Sequence, residues 1–147
     1  MVRETNLHHD ESMSAPVPPV ILVPISPGEL LDKISILEIK AQRFTEPAKL
    51  AHVHQELALL AAARDRAIRP SADLARLAAE LRAVNEALWQ VEDDVRVCER
   101  RADFGPGFVE LARSVYRLND QRAAVKREVN ALLASPLMEE KSYAPCP

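Results

Sequence analysis

Two proline-free stretches with an apolar repeat of about 3.5 residues constrain this chain more than anything else in it. From Ala72 to Ala102, apolar side chains fall at Leu74, Leu77, Leu81, Val84, Leu88, Val91, Val95 and Cys98, in alternating steps of three and four. From Phe108 to Ala134 the same steps pick out Phe108, Leu111, Val115, Leu118, Val125, Val129 and Leu132, with Arg122 where an apolar residue belongs. A strand alternates every second residue, so neither stretch reads as β. A repeat kept over more than three heptads is a helical seam, and a seam must be covered. Gly105, Pro106 and Gly107 lie between the stretches and predict a tight reversal. The two helices are therefore expected to fold back on each other as an antiparallel hairpin.

The prolines mark out the rest. A helix interior rejects proline at about 3 kcal/mol, and the chain keeps all 11 of its prolines outside the predicted interiors. A first helix is predicted from Pro27 to about Phe44, with Ser26 as its cap and Glu29 completing an S-x-x-E capping box. A second runs from Pro47 to about Ile68, and Ser71 re-caps the chain for the third. Leu30, Ile34 and Leu37, widened by Leu31 and Ile39, form the apolar face of the first; Leu50, Val53, Leu57 and Leu60 form that of the second. The hairpin covers these faces most simply in a four-helix bundle; the alternative is a dimer that shares them. With only 3 glycines, a turn-rich β-sandwich or barrel is disfavoured. The expected fold is all-α: an antiparallel hairpin within a four-helix bundle, preceded by a short extended segment, Val20 to Ile25. That segment is expected to pack across the bundle rather than to pair with another copy. The expected division is a disordered extension over 1–19, one helical domain over 20–135 and a tail over 136–147. Met13 is a candidate for the true start.

Charge and special residues narrow the function classes. Nineteen Lys and Arg against 22 Asp and Glu give a net charge of −3, with no global attraction to nucleic acid or an anionic membrane. No apolar run is long enough to span a bilayer, and Val20 to Val23 is too short for a secretory core. Both point to a cytoplasmic protein without membrane insertion. Cys98 and Cys146 do not make a disulfide framework. His52 and His54 stand two apart on a helix and cannot share a metal ion. No zinc spacing, phosphate-cradling glycine loop or nucleophile elbow occurs, so neither a metal nor a cofactor is expected.

Arg122 breaks the seam, and a charge at a core position costs several kcal/mol unless paired. The antiparallel register sets it level with Trp89, Asn119 level with Glu92, Lys126 with Asn85, and Tyr116 with Arg96. A polar and aromatic cluster is therefore expected midway along the hairpin: Asn85, Trp89, Glu92, Arg96, Tyr116, Asn119, Arg122 and Lys126, with Arg122 over or beside the Trp89 ring. Asp32 and Lys33 of the first helix are candidates to close over it. The cations suit phosphate or carboxylate, the asparagines donate and accept, and the aromatic rings can stack. Against this, Glu92 and Arg96 also read as an ordinary i, i+4 pair, as do Glu29 and Lys33. Two functions compete. One is a protein-interaction or scaffolding module, self-associating or bound to another protein. The other is a binding protein or enzyme for an anionic small molecule, nucleotide-sugar-like, using the inter-helix cluster. No catalytic residue is named by any motif.

Several separate blocks resemble a known family: PISPGELLDKISILEIKAQR, PAKLAHVHQELALL, VNEALWQVEDDVRVCE, FVELARSVYRLNDQRAAVKREVNALL and EEKSY. Together, from about Val23 to Tyr143, they resemble the domain of unknown function 6165 family. The resemblance implies a small, mostly helical bacterial protein and carries no established activity, so it transfers no residue roles.

Overall fold

In the computed structural model of the chain, residues 19–144 are described. The candidate start at Met13, the extension up to residue 18 and Cys146 lie outside them. The described residues form four α-helices and no strand: α1 (Pro27–Arg43), α2 (Pro47–Ala67), α3 (Ala72–Arg101) and α4 (Pro106–Leu132).

Local chemistry sets these ends. Ser26 accepts a hydrogen bond from the Glu29 amide (3.2 Å), and Ser71 accepts one from the Leu74 amide (3.1 Å). Each satisfies one of the amides that a helix start leaves without a partner. The capping box at Ser26 forms only this arm, because the Glu29 carboxylate turns away to Lys126 (2.6 Å). α4 starts two residues earlier than its apolar pattern suggests. Pro106 takes the first helical position, where its missing N–H costs nothing, and Gly105 is the N-cap. The reversal therefore falls over Ala102 to Gly105. Ala102 adopts the left-handed region (φ 51°), and the Asp103 amide bonds back to the Cys98 carbonyl (3.0 Å).

α3 and α4 pack along each other as the predicted hairpin, and α1 lies against both. α1 is the central element. Leu30, Leu31, Ile34, Leu37 and Ile39 are buried on more than one side of it. One cluster joins Leu31 to Leu74, Leu77, Leu81, Val125 and Val129. α2 docks on the opposite side of α1: none of its Cα atoms comes within 8 Å of one in α3 or α4. Val53 is its one buried residue. The bundle is thus layered, with α1 between α2 and the hairpin.

Only the half of the hairpin that meets α1 is deeply buried. Beyond Leu88 on α3 and before Val125 on α4, the seam residues are half-buried, and Phe104 and Phe108 meet edge-on near the reversal (5.3 Å). Helix lengths explain this, since α1 has 17 residues to cover partners of 30 and 27. The extended segment before α1 does not pack across the bundle as expected: Val20 to Val23 are 65–90% exposed. Among the described residues no helix is long and apolar enough to cross a membrane.

Candidate functional site

The polar residues at the α1–hairpin interface are shared between three helices. On α4, Asn119, Arg122, Lys126 and Asn130 follow one another at steps of three and four, forming a polar stripe beside the seam. α1 lies over the C-terminal part of that stripe and buries it.

At the buried end, Asn130 is 1% exposed, and its Oδ1 accepts from the Gly28 amide (2.8 Å). A side chain of one helix thus caps the start of another. The approach is so close that a Cβ on Gly28 would collide with the Lys126 carbonyl oxygen and meet Asn130 Oδ1 at 2.9 Å. One turn earlier on α4, the buried Lys126 ammonium meets Glu29 (2.6 Å), Glu139 (2.9 Å) and, at 4.0 Å, Asp32. Burial opposes its charge. Hydrogen bonds to Glu29 and Glu139, with the nearby charges of Glu29 and Asp32, outweigh that and raise its pKa above the ordinary lysine value. Asp32 is buried, and the Asn85 amide donates to it (2.9 Å) and to the Ser35 hydroxyl (3.0 Å).

Arg122 comes next and differs from its neighbours. Its closest carboxylate is Asp32, at 4.0 Å, and none of its N–H groups donates a hydrogen bond to a described residue. It stands on the wall of two open grooves. One, of about 510 Å³, runs between α1, α3 and α4 past Ile36, Leu88, Trp89, Asp93 and Asn119. The other, of about 650 Å³, lies on the far side of α4 beneath the C-terminal tail, with Tyr116, Asn119 and Asp120 on one wall and Lys141 and Tyr143 on the other.

The structure sorts the sequence candidates into groups. Trp89, Glu92, Arg96, Asn119, Arg122 and Asn85 meet at the first groove. Tyr116 faces the second, with Asn119 and Arg122 shared. Asp32 and Lys126 sit beneath, and Lys33 lies exposed on another face of α1. Glu29 pairs with Lys126 and not with Lys33. Glu92 and Arg96 do form the simple i, i+4 pair (2.6 Å). The cation over the Trp89 ring is Arg43 (5.6 Å), with Phe44 tilted against the same ring (6.2 Å). The expected Arg122–indole stack is replaced because the end of α1 reaches the ring first.

Sequence reasoning missed Asn130, Ser35 and the way the tail is held. Asn130 was within reach, since it extends the stripe of Arg122 and Lys126 by one further turn. The tail lacks any periodicity. A Ser135 turn bends it back (Oγ to the Leu137 carbonyl, 2.8 Å), the Asn130 amide meets Met138 Sδ (3.9 Å), and Glu139 reaches Lys126. The hydrogen bond from Lys126, with the charges of Lys126 and Lys141, holds the Glu139 carboxyl below the usual glutamate range. Glu139 is therefore the tail's anchor, while Tyr143 is 77% exposed. Among the described residues no group of three or more His, Cys, Asp or Glu is placed to hold a metal ion.

Fold and site together define a small all-α protein, a helical hairpin clasped by a central helix, with a buried lysine–carboxylate centre and, beside it, an arginine loosely paired with Asp32. The chain belongs to a family of unknown function, DUF6165, whose model matches residues 21–146. No curated protein and no solved structure matches it.

Proposed function

We propose that this protein binds a small anionic ligand in the groove between α1, α3 and α4, with Arg122 taking a phosphate or carboxylate and Trp89 lying along a ring. The observation that carries this reading is the state of Arg122. Its guanidinium is partly buried, with a side chain 28% exposed, and its one carboxylate neighbour among the described residues is Asp32 at 4.0 Å, so it makes no hydrogen bond to them and faces an open groove. A guanidinium presents a planar fork that matches two oxygens of one anionic group. Other cations of the interface hold closer carboxylates, Lys126 on Glu29 and Glu139, Arg82 on Glu38 and Glu86, Arg96 on Glu92, while Arg43 lies over the Trp89 ring. Asp93 and Asn119 supply an acceptor and an amide for the ligand's polar edge.

Trp89 is the single tryptophan of the chain, so its fluorescence reports directly on the groove. Adenosine monophosphate should give a saturable change in the wild type, and Arg122→Gln should weaken it about tenfold or more, the loss of one charge-assisted hydrogen-bonded pair. A wild type with no saturable change, or a variant that binds as well, contradicts the reading.

Exposed apolar surface favours a second reading, a protein-interaction module. Val20, Ile21 and Leu22 stand in extended chain at 76–90% exposure, and Phe104 and Val109 are half-exposed near the hairpin reversal. Light scattering separates self-association from binding to another protein: an assembly that dissociates on Leu22→Glu supports the former.

A further inference from the structure

We propose that the groove beneath the C-terminal tail is a second anionic subsite, so that the ligand carries two anionic groups in series, as a nucleoside diphosphate does. This inference rests on the Arg122 reading above and extends it across α4. Arg122 and Asn119 line both grooves, so the two adjoin at one guanidinium and one amide. An arginine has five donors, more than one phosphate needs, and can bridge two neighbouring groups.

The second groove has its own cation. Lys141 of the tail lines this groove together with Arg122, and its nearest carboxylate oxygen, on Glu139, is 3.7 Å away. The other Glu139 oxygen is already taken by Lys126 at 2.9 Å. Lys141 is thus held in place by a latch that uses little of its hydrogen-bonding capacity. Against these two cations the groove sets one carboxylate, Asp120, and Tyr116 and Tyr143 also line it. The first groove offers Trp89 for a ring; the second offers no indole and a net positive lining. The ring end of the ligand therefore lies by Trp89, the first anionic group at Arg122, and the second under the tail at Lys141.

Trp89 fluorescence with adenosine monophosphate and adenosine diphosphate, both without added metal, tests this on the full chain. The wild type should bind the diphosphate about tenfold more tightly than the monophosphate. Lys141→Gln and Lys141→Ala should each bring the two affinities within about threefold while leaving monophosphate binding unchanged, with thermal melts confirming the fold. Arg122→Gln should weaken both ligands. A wild type that binds both nucleotides equally, or Lys141 variants that keep the preference, overturns the second subsite and leaves the Arg122 reading standing. A wild type that binds neither overturns both.

Discussion

Gly28 and Asn130 show how much of this fold hangs on single atoms. The Gly28 amide is a helix-start donor that water cannot reach, and Asn130 is its partner. Gly28→Ala places a methyl against the Lys126 carbonyl, a backbone atom that cannot move aside alone. Overpacking of this kind costs about 1–3 kcal/mol. Asn130→Ala leaves the buried amide unsatisfied, at a similar cost of about 1–3 kcal/mol. Urea denaturation should show both losses with an unchanged slope, and a stable Gly28→Ala protein would mean that α1 does not approach α4 this closely. At this scale the sequence was only partly legible. Arg122 announced itself because it interrupts an apolar repeat. Lys126 and Asp32 were legible as members of a polar cluster; Asn130 was not, because a polar residue on an amphipathic helix reads as solvent-facing until a third element covers it.

The four helices themselves were legible nearly to the residue, since caps, prolines and apolar spacing are local signals. The start of α4 shifted because Pro106 belongs inside the helix and not in the turn. The reversal there carries a strain that can be relieved. Ala102 is exposed and left-handed, a conformation that costs a residue with a Cβ about 1 kcal/mol relative to glycine. Ala102→Gly should therefore raise stability by up to about 1 kcal/mol in the same denaturation assay, and a loss of stability would show that Ala102 is not left-handed in solution. α2 is the weakly held element. It packs on α1 alone and buries little, so its amides should exchange with deuterium faster than those of α1 or of the α3 half that α1 covers. Equal protection would mean that α2 has a second partner.

For the molecule as a whole, the feature with no trace in the periodicity is the folded-back tail. Its closest charge pair with the bundle is Glu139 with Lys126, and its response to pH follows from the shifts of these two groups. The Glu139 carboxyl lies below its ordinary value in the fold, so the stabilisation it gives is complete above the ordinary glutamate pKa and is lost as pH falls through the lowered one. Lys126 is raised, so its contribution is complete below the ordinary lysine pKa and fades only as alkaline pH passes the raised one. Between these limits the tail stays latched. Met138 provides the probe: its methyl resonance should move toward its unstructured position on acidification below the glutamate range, and Glu139→Gln should place it there already at neutral pH. A methyl resonance indifferent to both would mean that the latch does not hold the tail.

The Arg122 guanidinium, held only by Asp32 at 4.0 Å, is the centre of the proposed site, and its side-chain Nε–H resonance can be followed directly. On titration with adenosine monophosphate, the Arg122 Nε–H and the Trp89 indole N–H should shift along one saturation curve, while the Arg76 Nε–H, on an exposed α3 pair with Glu80, stays still. An Arg122 signal that does not move, or arginine signals that all move alike, would contradict the proposed site.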